Sequence, residues 1–570
     1  MGMNGKWALA AMVAAGGGFG IARGQDTFSA PNCTDVSQAN FNKVLVLDKT
    51  KDPNLDEVTR FAVAKDGSIY FSERGGSIKM LSADGTTVTK LGKINSYPTT
   101  SPLHMSLNNV NNEFGLVGFT IDPNFDTNHW IYVDYQMAAV DSSHLSRFTV
   151  TGNQLDMGSE KVILSWPTQK NYCCHTGGDI RIDGKGDLWI SVGNNTLNAA
   201  TGDADSTAYI DTRYPDADDE GHSANSNDLR GKILRIHPTA DGSYTVPAGN
   251  LKDYYASMYS PADLAKIRPE IYTMGHRNPY TISVDDAKGL LTWGDVGPDM
   301  GWQTEELNLV THPGFMGWPY FAGAEGNPHY QYKAAPIKDP AAPMNTGIHN
   351  TGVQKLPPAQ GAIYGYTQAA AITGPIYRYN PAQTKSTKLP GQFDGVWFVT
   401  DWKNGVTIYA HTLNADNTKV LNRTRFYTGT GGGFVHPLEI YIAPDGVMYV
   451  LDYFNMYNFT SNGSMPVPFS PTPPRIFRLD YTGTPCVPAV SIRNDKASYF
   501  KSGKNGLIHL GWDSERQIEV PLGYSGFTLY DLQGKTIWSA QASQRKDAYS
   551  QFITVPSGIG SGLFKIKYSL

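Results

Sequence analysis

The feature that most limits what this chain can fold into is a pattern that recurs six times: a tight polar turn, then a run of bulky residues. The copies read AKDGSIYFSE near residue 66, DPNFDTNHWIYVDY near 124, IDGKGDLWISVG near 184, VDDAKGLLTWGD near 287, LPGQFDGVWFVTD near 393 and IAPDGVMYVLD near 445. Large residues alternate after each turn, the period of a half-buried strand. The 59 glycines and 35 prolines suit many short strands joined by turns and argue against a helical fold. A single turn-and-strand unit cannot cover both of its own faces, so the units must close on one another. Six irregularly spaced units without a fixed short period predict an all-β, six-bladed β-propeller, with a large sandwich or β-helix as the competing architecture.

The N-terminus reads as a targeting segment. Lys6 precedes the apolar stretch WALAAMVAAGGGFGIA, and Ala22-Arg23-Gly24 supplies small residues for cleavage, so residues 1–24 are expected to be a removable signal peptide rather than a membrane anchor. The expected location is therefore secreted, periplasmic or cell-surface, where disulfides persist. Cys33 and Cys486 bracket the repeated units and are expected to pair, closing a domain over 33–486; the adjacent Cys173 and Cys174 would then pair with each other, with two free buried thiols as the alternative. The acidic stretch 200–230 reads as a mostly solvated loop. Beyond a proline-rich junction, residues 490–570 read as a small β-sandwich-like module. A net charge of -5 gives no reason to expect nucleic acid as a partner, and no other run is apolar enough to span a bilayer.

Several clusters stand in one order: FGLVGFTIDPNF (114–125), CHTGGDIRIDGKGDLWISVGNN (174–195), LRGKILRI (229–236), GHRNPYTISVD (275–285), WGDVGPDMGWQTEELNLV (293–310) and GWPYFAG (317–323). Together they resemble the glucose/sorbosone dehydrogenase family, soluble quinoproteins that oxidise sugars with pyrroloquinoline quinone (PQQ) and Ca²⁺. The resemblance covers roughly residues 50–480 and implies the six-bladed propeller already expected from the repeats. The last eighty residues, with YDLQGK and a terminal SGLFKIK, are similar to secretion-sorting modules of exported bacterial enzymes, which would make secretion machinery a partner.

The resemblance implies roles for particular residues. His175 in HTGG matches the general base, and neutral imidazole suits removal of a hydroxyl proton. Arg277 in GHRNP matches the arginine that stabilises charge on the quinone oxygens, and Asn278 matches a further cofactor contact. Gly297 and Pro298 match main-chain carbonyls that hold Ca²⁺, a cation that takes oxygen ligands. Lys403 matches a lysine paired with a cofactor carboxylate, and Glu113 stands near the sugar. His436 falls among the cofactor contacts, although it and Leu438 occupy the places of the family's arginine pair; Cys174 replaces an aspartate and Val296 a glutamine. The expected activity is oxidation of a sugar or sugar-derived alcohol or aldehyde, with electrons passing to an unidentified acceptor. A carbohydrate-binding propeller without catalysis and a Ca²⁺-dependent propeller lactonase are the alternatives.

Overall fold

Every one of the six turns leads into the second strand of a sheet built on four antiparallel strands, to which the third blade adds Tyr244–Thr245 and a parallel strand at Gly314–Phe315, and the six sheets form a ring of blades. The structure is a computed structural model. It describes residues 40–97, 113–170, 175–196, 210, 212–298, 304–323, 339–366, 370–403, 407–428, 433–453 and 473–483, together with the short strands Phe28–Ala30, Cys33–Val36, Tyr330–Gln331, Ala489–Val490, Asn505–Leu510, Gln517–Val520, Gly526–Tyr530, Thr536–Gln541, Gln551–Thr554 and Gly562–Ser569 and residue 535.

From the axis outward, the first blade is Val58–Val63, Ile69–Glu73, Ser77–Leu81 and Val88–Lys93. The second is Leu116–Ile121, Trp130–Gln136, Ser142–Thr151 and Gln154–Pro167. Gly177–Ile182, Leu188–Val192, Lys232–Pro238 and Ile271–Met274 make the third, and Pro279–Asp285, Leu290–Asp295, Glu305–Val310 and Tyr364–Tyr366 the fourth. Ala371–Ile376, Trp397–Asp401, Ile408–Leu413 and Val420–Tyr427 make the fifth. The sixth combines His436–Ile442, Met448–Tyr453 and Arg475–Tyr481 with Phe41–Leu47 from the start of the chain. Phe41 pairs with Tyr481 and Leu47 with Ile476, so backbone hydrogen bonds close the ring.

Burial of the second strands goes beyond the half-buried expectation. Ile69–Glu73, Leu188–Val192, Leu290–Asp295, Trp397–Asp401 and Met448–Tyr453 are buried along their whole length. The reason is that blades stack face to face, so residues on both sides of a second strand meet a neighbouring sheet. Where the first and last blades meet, Leu47, Val58, Phe61, Phe71, Val447, Leu451 and Ile476 share one apolar cluster. Each such side chain contributes about 1.5–3 kcal/mol of burial, so closure is strongly favoured once the strands are in place.

The axis itself is polar. Arg60 of the first inner strand lies 3.5 Å from Asp179 of the third, and Arg181 reaches Glu439 of the sixth at 2.7 Å. Asp179 also accepts from the Ile282 main chain of the fourth at 2.8 Å. Inner strands of four blades are thereby tied to one another, the first and third by a buried ion pair and the others by charge-assisted hydrogen bonds. Beside them Asp134 is fully buried, and neither carboxylate oxygen has a hydrogen-bond partner among the described residues.

The solvated-loop reading of 200–230 fails for its second half: Asp218, Asp219, Glu220, His222, Ser223 and Asn225 are all buried. This stretch lies between the second and third strands of the third blade and folds inward because its carboxylates find donors there. The cysteine pairings fall outside the described residues, as do residues 1–24; Cys33 is described only as backbone, in a two-stranded sheet with Phe28–Ala30. Toward the C-terminus the chain forms a five-stranded sheet and a separate two-stranded one. Among the described residues, no helix is long and apolar enough to cross a membrane.

Candidate active site

In an antiparallel blade, the start of the inner strand and the end of the second strand lie at the same edge. The predicted site residues occupy those positions: Glu113 precedes the inner strand of blade two, His175 that of blade three, and Arg277 and Asn278 that of blade four. Gly297 and Pro298 follow the second strand of blade four, Lys403 follows that of blade five, and His436 opens the inner strand of blade six. Topology alone therefore gathers residues distant in sequence onto one face of the ring.

His175 is the centre of the first group. Its φ of 58° is left-handed, a conformation that non-glycine residues adopt only when neighbours enforce it. Three contacts do so. The His175 main-chain N–H donates to Glu113 Oε2 at 2.8 Å, the Asn195 N–H donates to the His175 carbonyl at 2.9 Å, and Nδ1 lies 2.9 Å from Asn194 Oδ1. Gly193 makes the turn possible, because a Cβ there would come within 2.2 Å of the His175 carbonyl oxygen. Burial, and then the positive charge of Arg277, hold the imidazole pKa well below its ordinary value, so the ring is neutral near pH 7.

Glu113 joins three blades. Its Oε2 accepts from the His175 N–H and, at 3.2 Å, from Asn278 Nδ2, while Asn278 Oδ1 accepts from Gly177 N–H at 3.1 Å. Burial raises the Glu113 pKa, opposed by the His175 amide and the nearby Arg277 charge. Arg277 is 3% exposed; its Nη1 donates to the Val296 carbonyl at 2.8 Å, and Asp295 receives the main-chain N–H groups of Arg277 and Asn278. This places the guanidinium beside the Gly297-Pro298 turn. Gly297 is packed so closely that a Cβ would lie 2.1 Å from the Thr304 carbonyl, and its N–H donates to Glu305 Oε2 at 3.3 Å. Burial pushes the Glu305 carboxyl up to about 8.

Lys403 and His436 form a second patch on the same face. Lys403 is exposed; the His436 ring stacks on Trp402 at 4.5 Å, and its Nδ1 donates to the Trp402 carbonyl at 2.6 Å. Among the described residues no hydrogen bond or ion pair joins this patch to the His175 group. Nor does any group of three or more His, Cys, Asp or Glu side chains gather as a metal site among them, so the predicted Ca²⁺ position depends on the main-chain oxygens of Gly297 and Pro298.

Two residues escaped the sequence reading. Asn194 bridges His175 to Asp219, its Nδ2 donating to Asp219 Oδ2 at 2.8 Å. Asp219 is fully buried within the supposed solvated loop. A usable signal was present: the run GHSANSN after Asp218-Asp219-Glu220 is short in charge and rich in small residues, which suits packing better than solvation.

A ring of six blades with a neutral, buried imidazole and a buried guanidinium at one end defines a propeller with an enzyme-like polar site. The glucose/sorbosone dehydrogenase family model matches residues 55–377, more than half of the chain, and the chain belongs to that family. It is 24% identical over 306 residues to quinoprotein glucose dehydrogenase B of Acinetobacter calcoaceticus, a match covering 51% of this chain and 55% of that protein. The chain thus spans about half the length of that curated relative. Among solved structures, a putative oxidoreductase (glucose dehydrogenase) from Thermus thermophilus superposes with a TM-score of 0.51 at 19% identity, covering 77% of this chain and 99% of that one. A second structure titled glucose dehydrogenase gives 0.50 at 16% identity over 77% and 99% of the two chains. At these identities the structural likeness establishes the six-bladed fold.

Proposed function

We propose that the protein is an exported, PQQ-dependent dehydrogenase that oxidises a sugar or a sugar-derived alcohol or aldehyde with the help of Ca²⁺. The observation that carries this reading is the neutral imidazole of His175, held beside Arg277 and Glu113 at one end of a glucose/sorbosone dehydrogenase propeller.

The donor set fits the cofactor. PQQ is a planar quinone bearing three carboxylates, and the buried Arg277, the Asn278 amide and the exposed Lys403 ammonium are groups that bind such an anion. The carbonyl oxygens of Gly297 and Pro298 are hard ligands of the kind Ca²⁺ takes. When bound, PQQ supplies a two-electron acceptor for hydride. The chain's own residues do the rest. His175 accepts the substrate hydroxyl proton on its neutral imidazole, for which a depressed pKa keeps the free base available. Arg277 holds a fixed positive charge where negative charge accumulates, and Glu113 fixes the His175 backbone so the ring does not drift. Support for export is the leader-like segment at residues 1–24.

The test is reconstitution. Purified protein receives PQQ and Ca²⁺, and quinone absorbance and dye reduction are followed with a panel of aldoses and other polyols. Saturable PQQ binding with sugar-dependent dye reduction is expected. Absence of any spectral change with micromolar PQQ would leave a binding propeller, and ester hydrolysis without PQQ would indicate a lactonase.

A further inference from the structure

We infer that Asp219 is a positioning residue for His175, acting through Asn194 to fix which imidazole nitrogen carries the proton. The inference rests on the proposed role of His175 as base, but its geometry stands independently.

The chain of hydrogen bonds can be oriented from one end to the other. Asp219 Oδ2 accepts from the indole N–H of Trp318, a group that can only donate, and its other oxygen accepts from the Thr196 hydroxyl. A carboxylate already serving as acceptor requires the NH₂ side of Asn194 to face it, as found at 2.8 Å. The opposite side of the same amide is fixed separately, because the Thr196 main-chain N–H points at Asn194 Oδ1 at 3.3 Å. The amide therefore has one permitted orientation. Its oxygen faces His175 Nδ1 at 2.9 Å, so Nδ1 must be the protonated nitrogen. That leaves Nε2 as the basic nitrogen for proton abstraction. All four residues are buried: His175 is 6% exposed, and Asn194, Thr196 and Asp219 are each 0% exposed. With water excluded, the arrangement is set by these side chains alone.

The charge on Asp219 matters as well as its shape. A buried carboxylate beyond the amide polarises it and favours the imidazolium that forms when the substrate proton arrives. Burial raises the Asp219 pKa to about 6, against the Thr196, Trp318 and Asn194 hydrogen bonds. The charged and titratable groups around it are Asp218, His222 at 3.9 Å, Arg230 and Lys232; around His175 they are Arg277 and Glu113. Above about pH 6 Asp219 is ionised and aligns the relay; below it the carboxyl is neutral and the hold on the amide weakens.

Two readouts test the inference on the full chain. The first needs no turnover: ¹⁵N NMR of histidine-labelled protein, with the His175 signals identified by their loss in His175→Gln. Nδ1-protonated His175 is expected in the wild type, and a mixture of tautomers in Asp219→Asn. The second is steady-state kinetics of the PQQ-reconstituted protein. Asp219→Asn should lower kcat by about 10–100-fold, the range for losing an outer partner of a functional side chain, with little change in KM for the sugar. The wild type should show a fall in kcat through about pH 6 that this variant lacks. The exchange variant Asn194→Asp/Asp219→Asn keeps one carboxylate and one amide; it should recover most of the lost rate and raise the imidazole pKa, since the charge then touches the ring directly. A wild-type His175 protonated on Nε2, or a tautomer and pKa unchanged in both variants, would overturn the inference. If the wild type oxidises no sugar, the functional proposal fails, while the NMR arm still decides this one.

Discussion

Replacing His175 with glutamine separates catalysis from folding. The main-chain contacts that fix the turn, to Glu113 and from Asn195, do not involve the imidazole and remain. Glutamine meets the same left-handed φ of 58° that histidine already tolerates. The interaction lost is the Nδ1 bond to Asn194, whose oxygen still receives the Thr196 N–H. One neutral hydrogen bond is worth about 1 kcal/mol, so the melting temperature should fall by only a few degrees. Turnover should fall far more, by roughly 10²- to 10⁴-fold, because a positioned base is removed and glutamine accepts no proton near neutral pH. That range corresponds to about 2.7–5.5 kcal/mol of barrier. Since burial and Arg277 keep the imidazole pKa well below its ordinary value, wild-type kcat should be level above neutrality and decline only in acid; the variant should give a low, pH-independent rate. The measurements are dye-coupled kcat across pH, PQQ titration by absorbance, and thermal denaturation. Near-wild-type kcat with the acid decline intact, in a protein that binds PQQ normally, would show that the histidine is structural and that the proposed chemistry is wrong.

Arg277→Ala should differ in kind: it removes both a cofactor contact and charge stabilisation, so PQQ affinity and kcat fall together, read by titration and turnover in parallel. Gly297→Ala should destabilise the chain by several degrees in a thermal melt, because its Cβ would stand 2.1 Å from main-chain Thr304 O and that turn cannot yield cheaply. Asp134→Asn should stabilise the protein in a pH-dependent way. Burial raises the Asp134 pKa well above the usual carboxylate range. The folded state therefore holds its proton more tightly than the unfolded one, and stability is full below the unfolded pKa and lost as pH rises through the folded pKa. The variant's advantage in melting temperature should be absent near pH 3 and grow toward pH 8; a constant difference would refute the assignment of an uncompensated buried acid.

The propeller could be read from the sequence because its signal is local and repeated. DGSIYFSE and APDGVMYVLD each contain the turn and the second strand that it launches, and the side chains there answer to burial that every blade imposes. His175 and Arg277 stand out in the sequence for a different reason: they sit in short motifs whose order along the chain is distinctive. What stayed hidden depends on contacts across the ring. The links from Arg60 to Asp179 and from Arg181 to Glu439 join residues with no neighbouring signature. Asp219 was misread because an acidic run looks solvated until donors such as the Trp318 indole, a hundred positions away, are seen beside it. Lys403 and His436 show the converse: they lie on the same face as the His175 group, yet the contacts of His436 are with Trp402 and not with that group.

The sixth blade sets an order of assembly. Its outermost strand, Phe41–Leu47, is synthesised before any other part of the propeller, while its partner Arg475–Tyr481 is synthesised after all the rest. Five blades can build from strands that are near neighbours in the chain, but the ring stays open until these two ends meet. Bringing them together is the longest-range contact in the propeller and thus the natural last step of folding. Until then Arg475–Tyr481 presents an unpaired edge, and the first and last blades each expose an apolar face. A nascent chain therefore carries its closing strand as a waiting part, vulnerable to pairing with the same edge of another copy. A cut before residue 40 leaves the closing strand whole, whereas a cut within 41–47 divides the strand whose pairing with Arg475–Tyr481 closes the ring.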